Sequence, residues 1–521
     1  MKSQSDSKPS TDEIAQALAK NSDWVHDGAA IEWIQTHISH VFMVRDRVFK
    51  LRKSVRLPFL DFSSREARNA DCLREIALNR RLAPDVYLGV APILFEAGRA
   101  CVGKLGESVA NPGQEHVVVM RRLPTGRDAL SLLENDELRP THLEAVAQLL
   151  SRFHTKVALE QPLHWTEREW LERTSAPMLE SLFAVTDAKL ISASRSEELE
   201  SQVRSRLLNA RPHIELRRLE GRAVDAHGDL HLDHIWFDQA TSTDPLMIDC
   251  IEFNEDLRKI DSASEVAFLA MDLAYRGRSD LADYFLAAYA MSKDDYGLFT
   301  VVDLFVGYRA LVRAKVAALA SKQSSIAEAQ RAAARSSIER HIALTEQFLE
   351  DKKAAGIVLI CGTVGSGKTT VARYLAQTGH GIPISSDRVR KSLAGLPPTT
   401  HPTTIADEGI YAPSKTDDVY RALLERAQSV VESGRTALLD ASFSRRWQRA
   451  LVRSWALERG IAVRLIEVRC KRDTAISRLE ARWAAGTDAS DAGPDFLSTS
   501  EDRFEAPDEW PASDHEIVWT D

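Results

Sequence analysis

The chain has 521 residues, 44% of them apolar and 27% charged, which is too long for one hydrophobic core and predicts two or three globular domains. Its formal charge of −9 argues against non-specific attraction to nucleic acid or to an anionic membrane. From Ala355 onward 21 basic residues meet 23 acidic ones, so −7 of that charge lies on the larger N-terminal part and neither part is a basic module.

The start, MKSQSDSKPSTDE, is polar, lacks the apolar core of a secretory signal and reads as a short disordered lead. IEWIQTH, VFMVRDRVFKLRK and HVVVMRRL have the character of strands, and SSREARNADCLREIALNRRLAP between them reads as a helix ending near Pro84. From about Thr141 to Glu220 the pattern is mostly helical. HIWF and LMIDCIEF are short apolar runs on either side of the turn-rich QATSTDP, the spacing of a hairpin. Helices resume through FLAMDLAYRG, ADYFLAAYAM and VVDLFVGYRALVRAKVAALA. The Ala-rich IAEAQRAAARSSIERHIALTEQFLE then closes the first domain, with Asp351 to Gly356 as the junction. No apolar run approaches the ~20 residues that span a bilayer. Cys72, Cys101, Cys250, Cys361 and Cys470 lie far apart, without metal or disulfide spacing, and point to a reduced cytoplasmic setting.

After the junction, Gly356-Ile-Val-Leu-Ile-Cys361 reads as a buried strand and TVARYLAQTG as a helix. Between them stands Gly362-Thr363-Val364-Gly365-Ser366-Gly367-Lys368-Thr369-Thr370. That strand–loop–helix order is a P-loop for ATP or GTP, because it aims backbone N–H groups and a helix N-terminus at phosphate oxygens. Lys368 is expected on the β- and γ-phosphates and the Thr369 hydroxyl on Mg²⁺. Downstream, Asp387 opens a basic helix start, either as a base for an acceptor hydroxyl or as a helix N-cap. Asp440 ends a buried strand, where it is either a metal ligand through water or a strand-end cap. Arg445, Arg446, Arg449 and Arg453 either hold an anionic substrate or line a solvated helix face.

This order resembles the small P-loop kinases of the zeta-toxin, gluconate-kinase and polynucleotide 5′-kinase group. The resemblance implies that Asp387, with Arg390 after it, orients or deprotonates the acceptor hydroxyl. It also implies that Arg478 and Arg482, before Ala-Ala-Gly-Thr-Asp488-Ala-Ser-Asp491, form a lid over the transferring phosphate.

The other concentrated feature is His227-Gly-Asp229-Leu-His231-Leu-Asp233-His234-Ile, followed by Met247-Ile-Asp249. Three histidines could share a helical face and bind zinc, but Gly228 disfavours a helix. A carboxylate loop, a hairpin and a second carboxylate fit a kinase catalytic loop and metal-binding segment better. HGDLHxxxI followed by an ID segment resembles the aminoglycoside phosphotransferase family, a branch of the protein-kinase-like fold, over roughly residues 30–350. The resemblance implies that Asp229 is the catalytic aspartate and that Asp249 holds Mg²⁺ on the ATP phosphates. It asks for a strand lysine and a helix glutamate, for which Lys50 and Glu75 are the first choice and Lys53 and Glu66 the second. Val117 to Pro124 is the expected hinge toward adenine. Two positions depart from the family pattern: His234 stands where an asparagine would be a second metal ligand, and Gln35 to His40 lacks the expected glycines.

The segments THISHVF, LDFSSREARNADC, LNRRLAPDVYLGV and IDCIEFNEDLR resemble a bacterial two-domain arrangement across nearly the whole chain. The expected architecture is a polar lead (1–25), then a kinase-like domain (26–354) with an N-lobe (26–124) and a C-lobe (125–354). A P-loop NTPase-fold kinase domain (355–521) follows, so α+β precedes α/β, the latter with a parallel sheet flanked by helices. The implied function is phosphoryl transfer from ATP, with Mg²⁺, to a hydroxyl of a small-molecule acceptor at two ATP sites. One alternative makes the first domain a non-catalytic sensor controlling the P-loop kinase. The other is a nucleic-acid 5′-hydroxyl kinase, against which the near-neutral local charge and the lack of an aromatic–basic stripe both count.

Overall fold

The computed structural model describes residues 9–20, 24–25, 29–57, 60–96, 98–187, 190–238, 243–322, 328–398, 400, 409–485 and 490–521. The first eight residues of the lead, residues 239–242 of the QATSTDP turn, and Asp488 lie outside them. By packing, Met1–Glu160 with Ala223–Glu265 make one unit, and Gln161–Arg222 with Val266–Asp521 make another.

The first unit opens with helix α1 (Thr11–Lys20), whose Ile14, Ala15 and Leu18 enter a core with Phe42, Leu51, Ile93 and Val117. Residues 11–20, inside the expected polar lead (1–25), therefore form a packed helix. The signal was local: Ser10 and Glu13 form a capping box, with the Ser10 N–H donating to Glu13 Oε2 (2.8 Å) and the Glu13 N–H donating to Ser10 Oγ (3.2 Å).

Strands β1 (Glu32–Gln35), β2 (Ser39–Val44) and β3 (Arg47–Arg52) follow, then a short pair β4 (Arg56–Leu57) and β5 (Leu60–Asp61). Helix α2 (Arg65–Asn79) is capped by Ser64, whose side chain accepts from the Ala67 N–H. Strands β6 (Tyr87–Glu96), β7 (Arg99–Val102) and β8 (His116–Arg121) complete an antiparallel sheet of order β1-β2-β3-β8-β6-β7. Strands β6 and β7 were not legible in the sequence, because Gly89 and Pro92 interrupt the apolar run and a bulge lies between Tyr87 and Gly89.

Helices α3 (Ala129–Glu134) and α4 (Pro140–Lys156) come next in this unit. After them stand β9 (Ala223–Asp225), β10 (Ile235–Phe237), β11 (Pro245–Met247) and β12 (Lys259–Asp261). The expected hairpin is β10–β11, in which Ile235 faces Met247, while β9 pairs with β12. Residues 226–234 therefore form a loop between two small sheets, and Asp249 lies just past the hairpin.

The second unit holds α5 (Glu167–Thr186), α6 (Ala193–Leu219), most of α7 (Ser262–Tyr275), α8 (Ser279–Lys293), α9 (Val302–Ser321) and α10 (Glu328–Leu349). It also holds β13 (Ile357–Cys361), α11 (Lys368–Gln377), β14 (Ile382–Ser385), α12 (Ser386–Leu393) and α13 (Pro413–Glu432). Its C-terminal elements are β15 (Ala437–Asp440), α14 (Arg446–Leu457), β16 (Val463–Arg469), α15 (Arg472–Ala485), α16 (Leu497–Arg503) and β17 (His515–Trp519). The five strands are parallel, in the order β14-β15-β13-β16-β17. Such a sheet is covered on both faces, which explains the unbroken apolar runs of β13 and β15.

Helix α8 packs on α11 and β14. The Arg435 guanidinium just before β15 is buried between Asp283 (2.7 Å) and Asp303 (2.8 Å), and Arg426 pairs with Asp294. The Tyr296 hydroxyl donates to the Pro383 carbonyl in β14 (2.9 Å). No helix among the described residues is long and apolar enough to cross a membrane.

Candidate functional site

In β3, Lys50 and Arg52 are two residues apart and so share one face of the strand. Both reach α2. Lys50 Nζ donates to Glu75 Oε1 (2.9 Å) and to Asp249 Oδ1 (2.7 Å). Arg52 pairs with Asp71 (2.8 Å), Glu75 (2.7 Å) and Glu252. Of the two sequence choices, Lys50 and Glu75 meet. Lys53 instead donates to Gln35 and the Thr36 carbonyl, and Glu66 is exposed.

Burial opposes the Lys50 ammonium, but Asp249 and Glu75 outweigh it and hold its pKa well above the usual lysine value. Burial likewise opposes ionisation of Asp249, yet Lys50 keeps that carboxyl well below the usual range. Glu252 moves the other way. Burial pushes it up to about 7 despite Arg52, with Glu75 adding like charge, and burial also raises Asp71.

Asp249 has φ +63°, a left-handed conformation that few residues other than glycine adopt without strain. Its N–H donates to the Tyr87 hydroxyl (3.1 Å), and the next N–H, of Cys250, donates to Asn79 Oδ1 (2.9 Å). On the opposite side, the buried Glu265 carboxylate accepts the N–H groups of His227 (2.8 Å) and Gly228 (3.0 Å). Gly228 has φ +88°, and a Cβ there would lie 3.0 Å from the Leu257 carbonyl oxygen. Glycine thus lets the loop turn back under Asp229.

His227 donates from Nε2 to the Ile248 carbonyl (2.8 Å) and accepts at Nδ1 from the Asp229 N–H (3.4 Å). Burial pushes its pKa down to about 3. Both of its nitrogens are committed, so His227 serves the loop and not a metal. Asp229, His231 and His234 each offer a ligand atom within 4.8 Å of the others. Asp229 Oδ2 is 3.6 Å from His231 Nε2 and 3.7 Å from His234 Nδ1. His234 Nε2 is 3.7 Å from Asp249 Oδ2. Asp229, Asp249 and His234 therefore converge. Tyr87, Asn79 and Glu265, which hold the backbone of the two segments, carry no local motif.

In the second unit, the loop after β13 turns through Gly362 (φ +149°), Gly365 (φ +74°) and Gly367 (φ +94°). A Cβ on Gly362 would lie 2.4 Å from the Val468 carbonyl oxygen, so only glycine fits there. Lys368 starts α11 and folds back, Nζ donating to the Thr363 carbonyl (2.8 Å). Burial lowers its pKa, partly countered by Asp440 and Asp387. The Thr369 hydroxyl donates to Asp440 Oδ2 (2.7 Å). The Val364 N–H donates to Ser500 Oγ (3.1 Å), and Thr370 is exposed on the first turn of α11. Ser366 Oγ is buried without a hydrogen-bond partner among the described residues. An orphaned hydroxyl in a glycine cradle, beside a hydroxyl–carboxylate pair of hard oxygens, fits a phosphate with a hard dication.

Asp440 stands in register with Ile360 of β13 and Ser385 of β14, at the C-terminal edge of the sheet. Asp387 is the second residue of α12, directly after that edge, and the N-cap position falls to Ser385, so Asp387 is not the helix N-cap. Beside it, Arg390 donates to the Ile410 carbonyl (2.7 Å) and lies over the Tyr411 ring (4.8 Å). Buried Lys391 pairs with Asp491 (2.9 Å), to which Tyr411 also donates. Arg478 donates to Thr520 Oγ1 (2.9 Å), and Thr520 in turn donates to the Ser366 carbonyl (2.7 Å). Arg482 donates to the Ala492 carbonyl (2.8 Å). The arginine run is a staple for the segment 505–510. Arg449, fully buried, pairs with Glu509 (2.6 Å), Arg445 pairs with Glu505 (3.1 Å), and Arg453 lies over Trp510 (4.9 Å).

Comparison with known proteins matches residues 43–299 to the phosphotransferase enzyme family and residues 357–507 to an AAA domain family. Uncharacterized protein Rv2004c of Mycobacterium tuberculosis is 32% identical over 475 residues, which are 89% of each chain. The uncharacterized protein Mb2027c of Mycobacterium bovis matches to the same extent. Among solved structures, an ethanolamine kinase of Plasmodium vivax is 12% identical and aligns over 62% of this chain and 82% of its own, with a TM-score of 0.36. A gluconokinase of Sinorhizobium meliloti 1021 is 18% identical over 32% of this chain and 83% of its own, with a TM-score of 0.23. The chain belongs to the same family as the mycobacterial proteins and joins a kinase-like phosphotransferase domain to a P-loop domain in one polypeptide.

Proposed function

We propose that the chain is a cytoplasmic, ATP-dependent phosphotransferase with two ATP sites, passing the γ-phosphoryl group to a hydroxyl of a small-molecule acceptor. The observation that carries this reading is the Thr369–Asp440 hydrogen bond beside Lys368, at the mouth of a loop that only glycines can form. Gly362 to Thr370 cradles the phosphates, Lys368 draws charge from the β- and γ-phosphates, and Thr369 with Asp440 holds Mg²⁺. Held there, Mg²⁺ would supply neutralisation of the phosphate charge. Asp387 orients the acceptor hydroxyl and takes its proton, and Arg478 and Arg482 neutralise charge on the transferring group.

In the kinase-like domain, Lys50, held by Glu75, meets the phosphates, and Asp249 with His234 holds the metal. Asp229 accepts or orients the proton of the acceptor hydroxyl. The convergence of Lys50, Glu75 and Asp249 supports this assignment. One observation favours a second reading, in which this domain is a ligand sensor for the P-loop kinase: an imidazole stands where the family pattern has a metal-binding asparagine.

The test is an ATP-dependent phosphorylation screen of a metabolite library with wild type, Lys368→Ala and Asp229→Ala. Loss of one product set with each variant supports two catalytic sites. Loss of all products with Lys368→Ala, and none with Asp229→Ala plus Asp249→Ala, supports the sensor. Labelling of oligonucleotide 5′ ends in place of metabolites would overturn the small-molecule acceptor.

A further inference from the structure

We propose that the kinase-like site binds its cation through a nitrogen, with His234 Nε2 and Asp249 Oδ2 as a ligand pair. The site would thereby select a first-row transition-metal dication, manganese to zinc, over magnesium. The proposal rests on the reading of Asp229 and Asp249 as an ATP–metal site and adds the identity of the cation.

The His234 tautomer carries the argument. Nδ1 lies 2.8 Å from the Asp229 carbonyl oxygen, and a carbonyl only accepts, so Nδ1 bears the proton. The lone pair of neutral His234 is then on Nε2, which lies 3.7 Å from Asp249 Oδ2. A ring N–H bonded to a carbonyl is the outer contact that orients a metal-bound imidazole and fixes which nitrogen binds.

The distance is also suitable. Two ligands at ~2.1 Å from one cation are about 3.0 Å apart at a right angle and about 3.4 Å apart in a tetrahedron. Closing 3.7 Å to that range needs a few tenths of an ångström. The His234 side chain is 15% exposed, and its ring lies against His231 with centroids 3.9 Å apart, which limits its motion. The backbone N–H of Asp249 is held by Tyr87 and the next one, of Cys250, by Asn79.

The alternative trio of Asp229, His231 and His234 brings His234 toward Asp229 Oδ2 through Nδ1, the nitrogen already used as a donor. Asp229 keeps the role toward the acceptor hydroxyl given it above. An asparagine at 234 would offer the hard amide oxygen that suits Mg²⁺. Imidazole is the borderline ligand that binds later first-row dications more tightly.

The test uses the full chain carrying Lys368→Ala, with the non-hydrolysable nucleotide AMP-PNP and either Mn²⁺ or Mg²⁺. Calorimetry gives the ratio of the two metal affinities, and electron spin-echo modulation of bound Mn²⁺ reports a directly coordinated nitrogen. We expect nitrogen modulation in the His234-containing protein and its loss in His234→Asn. The Mn²⁺-to-Mg²⁺ preference should fall about 10- to 100-fold in that variant. Circular dichroism and retained AMP-PNP binding show that it folds. Equal preference in both proteins without nitrogen modulation overturns the nitrogen ligand while leaving the ATP site standing. If metal-dependent AMP-PNP binding is missing from both, or is indifferent to Asp249→Asn, the underlying site reading fails.

Discussion

The Lys50 ammonium lies 2.7 Å from the Asp249 carboxylate, although 199 residues separate them in the chain. With Glu75 on its other side, Lys50 joins strand β3, helix α2 and the segment after the β10–β11 hairpin. Replacing it with methionine keeps most of the side chain's length and removes the charge that holds Asp249 ionised. In a Lys368→Ala background, Lys50→Met is expected to lower phosphoryl transfer at the kinase-like site by about 10²- to 10³-fold. Rates with labelled ATP measure this, and an unchanged rate would remove Lys50 from the site.

At the P-loop, Thr369 and Asp440 should act as one unit. Thr369→Val and Asp440→Asn are each expected to weaken metal-dependent nucleotide binding, and the double variant to lose less than the sum. A coupling of roughly 0.5–3 kcal/mol is expected for side chains in direct contact. Calorimetric titration of the four proteins measures it, and strict additivity would mean that the hydrogen bond does not matter for binding.

Gly362→Ala tests the cradle itself. The added methyl meets the Val468 carbonyl oxygen at 2.4 Å, where something must move. Nucleotide binding at the P-loop is expected to be lost while the kinase-like site keeps its own. Fluorescent-nucleotide titration in Asp249→Asn and wild-type backgrounds separates the two.

Glu252 gives the first unit a pH dependence. Its folded pKa, about 7, is raised above the ordinary glutamate value, so folding favours the protonated form. The resulting stabilisation is complete below the unfolded pKa of about 4.3 and is lost as pH rises through about 7. Wild type is therefore expected to lose on the order of 1–3 kcal/mol relative to Glu252→Gln between pH 5 and pH 8. Denaturant melts at both pH values measure this, and parallel profiles would refute it.

In the second unit, Arg435 is buried against Asp283 and Asp303. Removing it by Arg435→Met takes the shared cation from both carboxylates while Asp303 keeps Lys352 (2.7 Å), a change worth roughly 1–3 kcal/mol. A drop in the thermal midpoint of this unit is expected, and restoring it with Asp283→Asn plus Asp303→Asn would identify the stranded charges as the cause.

What could be read in advance followed the range of the signal. The P-loop glycines, Lys368 and Thr369 sit within nine residues, because the cradle is built from consecutive backbone. The β10–β11 hairpin likewise follows from two apolar runs around a turn. Strand β6 is interrupted by a glycine and a proline, and α1 begins in a polar stretch marked locally only by its capping box. Arg449, within an arginine run, was open between substrate contact and solvated face. It is instead a buried pin, because Glu509 and the carbonyls of Phe443 and Glu505 come to it from sixty and fewer residues away.

By itself the sequence determined the fold class, the order of the two domains and the short motifs, since these depend on periodicity and on neighbouring residues. Only the tertiary structure decided which charges meet. Glu75 and not Glu66 reaches Lys50, Glu265 anchors the loop before Asp229, and His234 turns Nε2 toward Asp249. Those choices come from strand register and helix packing across tens to hundreds of residues, where no local pattern records the partner.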